Sequence, residues 1–329
     1  MIAFFKSRKI LVPAGPCLLA LTIALSLLCC FASSLIAGEA YVTNQSSETV
    51  TVINLKSFKR VKTIAVGGKP AGIVVSKDGR WAYVASPEGK FVSKINTTTN
   101  KIEKRIALKG GPLGIAVHPS GAPLYVADWY EHRIFVIDPE TGLVQHEIAV
   151  GHSPSGLDVS PDGKSLLSAD RDSNQVSMIN TQTLKVEARI KVGTRPFGIT
   201  INDEGTRAYT ANVKSNDVSV LDLGSKKVIA TVGVGERPYA IAIAGGKLFV
   251  TDQYSETVSV LDEKSLKLLK KIDVGEYPEG IATGPKGQFV YVACWFSNVL
   301  MRIDVNSLEV TGEAETDDGP RAFGRFIKK

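Results

Sequence analysis

Short runs of alternating apolar and polar residues recur along the chain. Val258 and Val260 alternate with Thr257 and Ser259, and Val218 and Val220 flank Ser219 in the same rhythm. A period of two marks a strand with one buried face. A second strand type joins an aromatic residue to valine, as at Tyr83-Val84, Tyr125-Val126, Phe249-Val250 and Tyr291-Val292. Segments such as Lys101-Ile102-Glu103-Lys104-Arg105-Ile106 alternate more weakly. They read as exposed edge strands whose charges oppose edge-to-edge aggregation.

These strands belong to a repeat. A proline following a glycine-containing turn recurs at Pro70, Pro112, Pro154, Pro196, Pro238, Pro278 and Pro320, at intervals of 42 residues with one of 40. Behind each proline the same order returns. Gly114-Ile115 or its equivalent comes first, then a turn such as Pro161-Asp162-Gly163, then the aromatic-valine strand, a polar loop and a segment of the Val-Ser-Val-Leu-Asp kind. Each unit therefore holds four short strands. Four-stranded units of this length in series predict propeller blades. Six units are complete. The seventh proline precedes a single strand, Arg321 to Ile327, and the three strands it lacks are found at the front of the repeat region: Glu39 to Thr43, Val50 to Ile53 and Arg60 to Ala65. The expected fold is all-β, a seven-bladed propeller over residues 38–329 whose last blade is closed by both termini.

Composition changes this picture only at the N-terminus. The chain of 329 residues is 44% hydrophobic and 22% charged, an ordinary globular balance that excludes disordered, collagenous and multi-span membrane proteins. Its net charge of +6 includes Lys6, Arg8 and Lys9, in a leading segment without acids, so the repeat region carries only +3. No basic run after residue 37 makes a strong nucleic-acid footprint. The basic triplet precedes an uncharged stretch, Cys17 to Ala37, ending in small residues. Residues 1–37 are thus expected to be a secretory signal or an uncleaved membrane anchor, placing the remainder in the periplasm or otherwise outside the cytoplasm. Of the cysteines, only Cys294 lies beyond this segment, so the processed chain has no internal disulfide.

Tyr41-Val42-Thr43-Asn44 matches the signature of the YVTN repeat. On that motif and the seven units around it, the chain resembles the YVTN-family, YncE-like bacterial seven-bladed β-propellers. Two units depart from the pattern: Leu167-Ser168 replaces the aromatic-valine pair in the third, and the fifth has a shorter first hairpin at Gly245-Gly246. The resemblance implies a cell-envelope location. It also brings a possible role beside a periplasmic quinoprotein dehydrogenase, because similar propellers include such partners. A propeller fold by itself leaves the activity open.

The repeat places equivalent residues in spatial rings. One ring comprises Asn44, Ser86, Asp128, Asp170, Asn212, Asp252 and Cys294. Its side chains are expected to cap their own turns. Asp128, Asp170, Asn212 and Asp252 are the secondary candidates for a metal, in an arrangement that loosely resembles lactonase-type propellers. The next position varies, and it holds Trp129 and Trp295. The residues flanking the prolines add Lys69, Arg195, Arg237, Arg321 and Tyr239, with His152 close by. Guanidinium groups gathered at one channel mouth favour a carboxylate, a phosphate or an acidic protein surface. The competing expectation is ion pairing with Glu236, Glu276, Glu279 and Asp318 at the same mouth.

No catalytic residue and no cofactor is identified. The four histidines lack metal-ligand spacing, and neither a G-x-S-x-G elbow, a P-loop nor a C-x-x-C-H haem motif occurs. The expected function is a non-catalytic binding or scaffold propeller of the envelope, taking an unknown protein or a small anionic ligand at one face of the channel. The alternatives are a metal-assisted hydrolase or lactonase at that mouth, and the quinoprotein accessory. Membrane contact is expected only through an uncleaved N-terminal segment.

Overall fold

Seven blades follow one another from Gly38 to the C-terminus in the computed structural model; six pair their own four strands in sequence order, and the seventh is completed from the far end of the chain. The structure describes residues 1–4 and 38–329, so the expected targeting segment at 5–37 lies outside the described residues. Blade 1 begins at Gly72–Val75, blade 2 at Pro112–Val117, blade 3 at Pro154–Val159, blade 4 at Pro196–Ile201, blade 5 at Pro238–Ala244 and blade 6 at Pro278–Thr283. Blade 7 uses Glu39–Asn44, Thr49–Asn54 and Lys59–Ala65, completed by Ile327–Lys328 from the other end of the chain. All-β architecture and seven blades are as the repeat predicts.

The aromatic-valine strands are the buried second strands. Tyr41, Tyr83, Tyr125, Tyr209, Phe249 and Tyr291 are almost fully inaccessible, and Leu167 fills the same place in blade 3. The Tyr41 hydroxyl crosses to blade 1, donating to Asn100 Oδ1 at 2.7 Å. The fourth strands are exposed outer edges, as their charges suggest; Lys101–Ala107 buries only Ile106. Inner strands pack edge to face around the channel, in five units through the glycine two places after the proline; Ala240 and Ala322 take that place in the other two. A Cβ on Gly114 would lie 1.7 Å from the Ser155 oxygen, and one on Gly72 would lie 1.9 Å from the Leu113 oxygen. Only hydrogen permits an approach that close.

The closing strand differs from the sequence expectation. Arg321 to Ile327 is not one continuous partner of Glu39 to Thr43. Pro320 bridges Asn44, and Ile327–Lys328 pairs with Glu39 and Ala40. Between these points Phe323–Arg325 swings away and pairs in parallel with Gly72–Val74 of blade 1. Gly324 makes this swing at φ +126°, where it lies against the Ile73 carbonyl. Phe323 and Phe326 are buried on either side of it. Arg325 reaches blade 3, its Nη2 lying 2.9 Å from Asp158 Oδ2.

Candidate functional site

The ring of repeat-equivalent polar residues is engaged within its own blades. Asp170 accepts hydrogen bonds from the Gly151 amide (2.9 Å), Ser168 Oγ (2.7 Å), Gln175 Nε2 (3.0 Å) and Ser177 Oγ (2.6 Å). Asp252 holds the Gly235 amide, Thr257 and Ser259 in the same way. Asp128 accepts from the Gly111 amide at 3.0 Å and pairs with Arg133 Nε at 3.1 Å. Asn212 donates to Asp217 Oδ1 and Ser219 Oγ. The three aspartates tie the incoming loop to the blade, while in blade 4 Ser219 Oγ takes the loop amide of Gly193 at 3.2 Å. Burial pushes Asp170 and Asp252 above the usual carboxylate range despite their donors, and it pushes the Cys294 thiol up to about 12. Among the described residues, no three His, Cys, Asp or Glu side chains converge on a common point.

The channel is filled at the mouth end. Phe197 packs on Tyr239 with ring centroids 4.3 Å apart, and Phe323 lies 4.9 Å from Phe197. Leu113 and Ala71 belong to the same buried cluster. Beside this plug lies a buried polar knot. Arg321 Nε approaches Glu279 Oε2 at 2.8 Å, its Nη1 donates to Gln45 Oε1 at 2.9 Å, and its Nη2 donates to the Tyr239 hydroxyl at 2.7 Å. Gln253 Nε2 donates to the other Glu279 oxygen at 2.8 Å. Burial lifts Glu279 above the ordinary carboxylate range even with Arg321 beside it. Burial opposes the Arg321 charge as well, but Glu279 and Tyr239 outweigh it and hold the guanidinium protonated. Tyr239 and Glu279 therefore lie inside the molecule, while Arg321, its side chain 20% exposed, is held against them at the inner side of the mouth. Here the ion-pair expectation holds for Glu279; Glu236, Glu276 and Asp318 form no ion pair among the described residues.

The other expected residues separate into covered and rim positions. Trp295 is half-buried with the Arg321 guanidinium 5.4 Å from its ring centroid. Trp129 is half-buried against Phe197 on one side and Arg171 on the other, at 6.2 and 5.4 Å. His152 is exposed and meets the His132 ring edge-on at 4.2 Å. Lys69 lies 3.5 Å from Glu48 Oε1. Arg195 and Arg237 remain on the rim, in adjoining blades.

Local backbone explains how these two are presented. The residue before the proline is left-handed in six of the blades, with φ +59° at Arg195, +54° at Arg237 and +72° at Gly319. Glycine suits that conformation, and other residues in it cost on the order of 1–3 kcal/mol. Only Gly319 is glycine here; the others are Lys69, Ser153, Arg195, Arg237 and Tyr277, with arginine in blades 4 and 5. Each arginine amide is fixed by an asparagine of the preceding blade: Asn174 Oδ1 takes the Arg195 N–H at 2.8 Å, and Asn216 Oδ1 takes that of Arg237 at 2.9 Å. Arg171 joins them. Its charge is disfavoured first by burial and then by the fields of Arg195 and Arg237, with Asp172 opposing. Asp172 is the one acid in this group, bound to Arg171 Nη1 and Ser153 Oγ at 2.8 Å each and 3.8 Å from Arg195 Nε.

A row of aromatic side chains that the sequence reading did not single out continues from this arc. Arg237 donates to the Tyr254 hydroxyl at 2.8 Å and lies over its ring. Tyr254, Tyr277 and Phe296 follow with centroid separations of 5.6 and 5.1 Å. Tyr130, Tyr254 and Phe296 are 67%, 53% and 62% exposed. All three lie two places beyond the polar ring position, one step past the position that marked Trp129 and Trp295. Two clefts open on this rim. One of about 330 Å³ lies between blades 4 and 5, lined by Arg195, Val213, Lys214, Asn216, Glu236 and Arg237. The other, of about 610 Å³, lies between blades 1 and 2 and is lined by Lys90, Leu108, Lys109, Gly110, Tyr130 and Glu131.

No protein-family model matches the chain, and no curated protein matches it. Solved structures do. The chain is similar to the hydrazine synthase of Kuenenia stuttgartiensis at a TM-score of 0.72 and 21% identity, over 78% of this chain and 89% of that one. It is similar to a functionally unknown protein from Desulfotomaculum acetoxidans DSM 771 at a TM-score of 0.75 and 17% identity, over 88% and 98%. At these identities the likeness establishes the propeller fold and carries no activity with it.

Proposed function

We propose that this chain is an exported, non-catalytic binding propeller of the YVTN type, which engages a protein or small anionic ligand through the rim of its channel mouth. The reading is supported by one observation above others: Arg171, Arg195 and Arg237 form a cationic arc that adjoins an exposed aromatic row on the same rim. Arginine and aromatic side chains are the groups that dominate binding hot spots. The buried acids of the ring are occupied with holding loops, which accounts for them without a reaction. Export rests on the basic and apolar pattern of residues 1–37.

Two measurements test it. Residues 1–40 fused to a reporter active only outside the cytoplasm should give signal; retention inside removes the export assignment. Affinity capture from envelope extracts should lose its specific partner when Arg195→Ala is combined with Arg237→Ala. Each anchor contributes about 2 kcal/mol if it is of hot-spot size, roughly a thirtyfold loss of affinity. Lys77→Ala with Lys286→Ala, on the turns at the other end of the blades, should leave capture intact. The reverse outcome assigns function to the opposite face.

A further inference from the structure

We infer that the cleft between blades 4 and 5 is an oxyanion-binding site, taking a carboxylate or phosphoryl group of a small polyvalent anion. This rests on the mouth-rim reading above and gives it a location and a ligand chemistry. The cleft is of small-ligand size, about 330 Å³, and three of its six lining residues are cationic: Arg195, Lys214 and Arg237. Glu236 is the only acid among them, and it forms no ion pair among the described residues. Arg195 has no carboxylate closer than Asp172 at 3.8 Å, and that carboxylate is already committed to Arg171 and Ser153.

Arg237 adds an independent observation. Its Nε is buried without a hydrogen-bond partner among the described residues, while its Nη1 is held by the Tyr254 hydroxyl. A buried donor left unpaired is costly and calls for an acceptor. The Tyr254 contact fixes the guanidinium plane, and Nε with the remaining Nη makes the planar fork that matches two oxygens of a carboxylate or phosphate. Arg195 and Lys214 supply further positive charge from blade 4.

The test uses the processed chain, residues 38–329, with defined probes: citrate, inorganic phosphate, acetate and polyglutamate, each balanced against sodium chloride at equal ionic strength. Citrate or phosphate should raise the melting temperature by several degrees and bind saturably by calorimetry. Arg195→Gly with Arg237→Gly should weaken that binding at least a hundredfold while the variant stays folded, because glycine accepts the backbone conformation at both positions. Arg237→Lys, which keeps the charge but not the fork, should weaken it about tenfold or more. Saturable citrate or phosphate binding identifies a free anion, whereas binding of polyglutamate alone identifies carboxylates displayed on a polypeptide and overturns the small-anion assignment. Absence of saturable binding, or binding unchanged in the glycine pair, also overturns it. If capture of a partner still depends on Arg195 and Arg237 in that case, the rim remains the working face and only the anion site is lost.

Discussion

A chain ending at Pro320 is expected to be insoluble or to melt at least 10 °C below the intact protein. The nine residues removed include Ala322, Phe323, Phe326 and Ile327, all buried. Burying each of the three larger apolar side chains contributes about 1.5–3 kcal/mol, against a total stability of only about 5–15 kcal/mol. The same deletion strips Gly72–Val74 of its parallel neighbour and Glu39–Ala40 of its inner partner, opening two strand edges in adjoining blades. It also takes Arg321 away from Glu279. Thermal unfolding of the truncated protein checks this, and an unchanged melting temperature contradicts closure by the C-terminus.

Replacing Arg321 alone should produce the next largest effect. Arg321→Ala leaves Glu279, which is only 3% exposed, as a buried carboxylate without its cation. Breaking one side of a buried pair costs about 3–5 kcal/mol, on the order of 5–15 °C in melting temperature for a chain of this size. The loss should depend on pH in a definite direction. Burial already holds Glu279 above the ordinary carboxylate range, and removing the guanidinium raises it further. A carboxyl whose folded-state value is raised contributes stability below its unfolded value and loses it as pH rises through the folded one. The gap between native and variant should therefore narrow as pH falls from neutrality towards about 4.5. Adding Glu279→Gln should restore much of the stability and flatten that dependence. A pH-independent loss, with no recovery from the second substitution, contradicts a buried charge pair.

How far the sequence reached differs between fold and site. The 42-residue spacing of the prolines is enough to count blades, because each blade repeats the same local pattern and its strands pair with sequence neighbours. The course of the last strand was not legible in this way. Whether Phe323–Arg325 pairs with blade 7 or with blade 1 is set by how two blades meet at the channel, and only Gly324 hints at it in the sequence. The mouth shows the same limit. Repeat alignment assigns Lys69, Arg195 and Arg237 to one rim. It places Arg321 there too, since its register is identical, yet the side chain is drawn inward by Gln45, Tyr239 and Glu279 from three other parts of the chain. Arg171 shares the variable position of Trp129 and Trp295, one place after the polar ring, but its role follows only from its closeness to Arg195 and Arg237. Tyr254 and Phe296 were available from the alignment one residue further on, where the period-two reasoning for strands had already ended in loop.

The central claim is that the protein works from the rim of its filled channel mouth, and site-specific photocrosslinking in intact cells addresses it most directly. A photoreactive residue at Lys214 or Tyr254 should give one discrete adduct in the envelope fraction, and that adduct should disappear when Arg195→Ala and Arg237→Ala are added. The same residue at Lys77 or Lys286 should give none. A discrete adduct from Lys77 or Lys286, with none from Lys214 or Tyr254, would contradict the account.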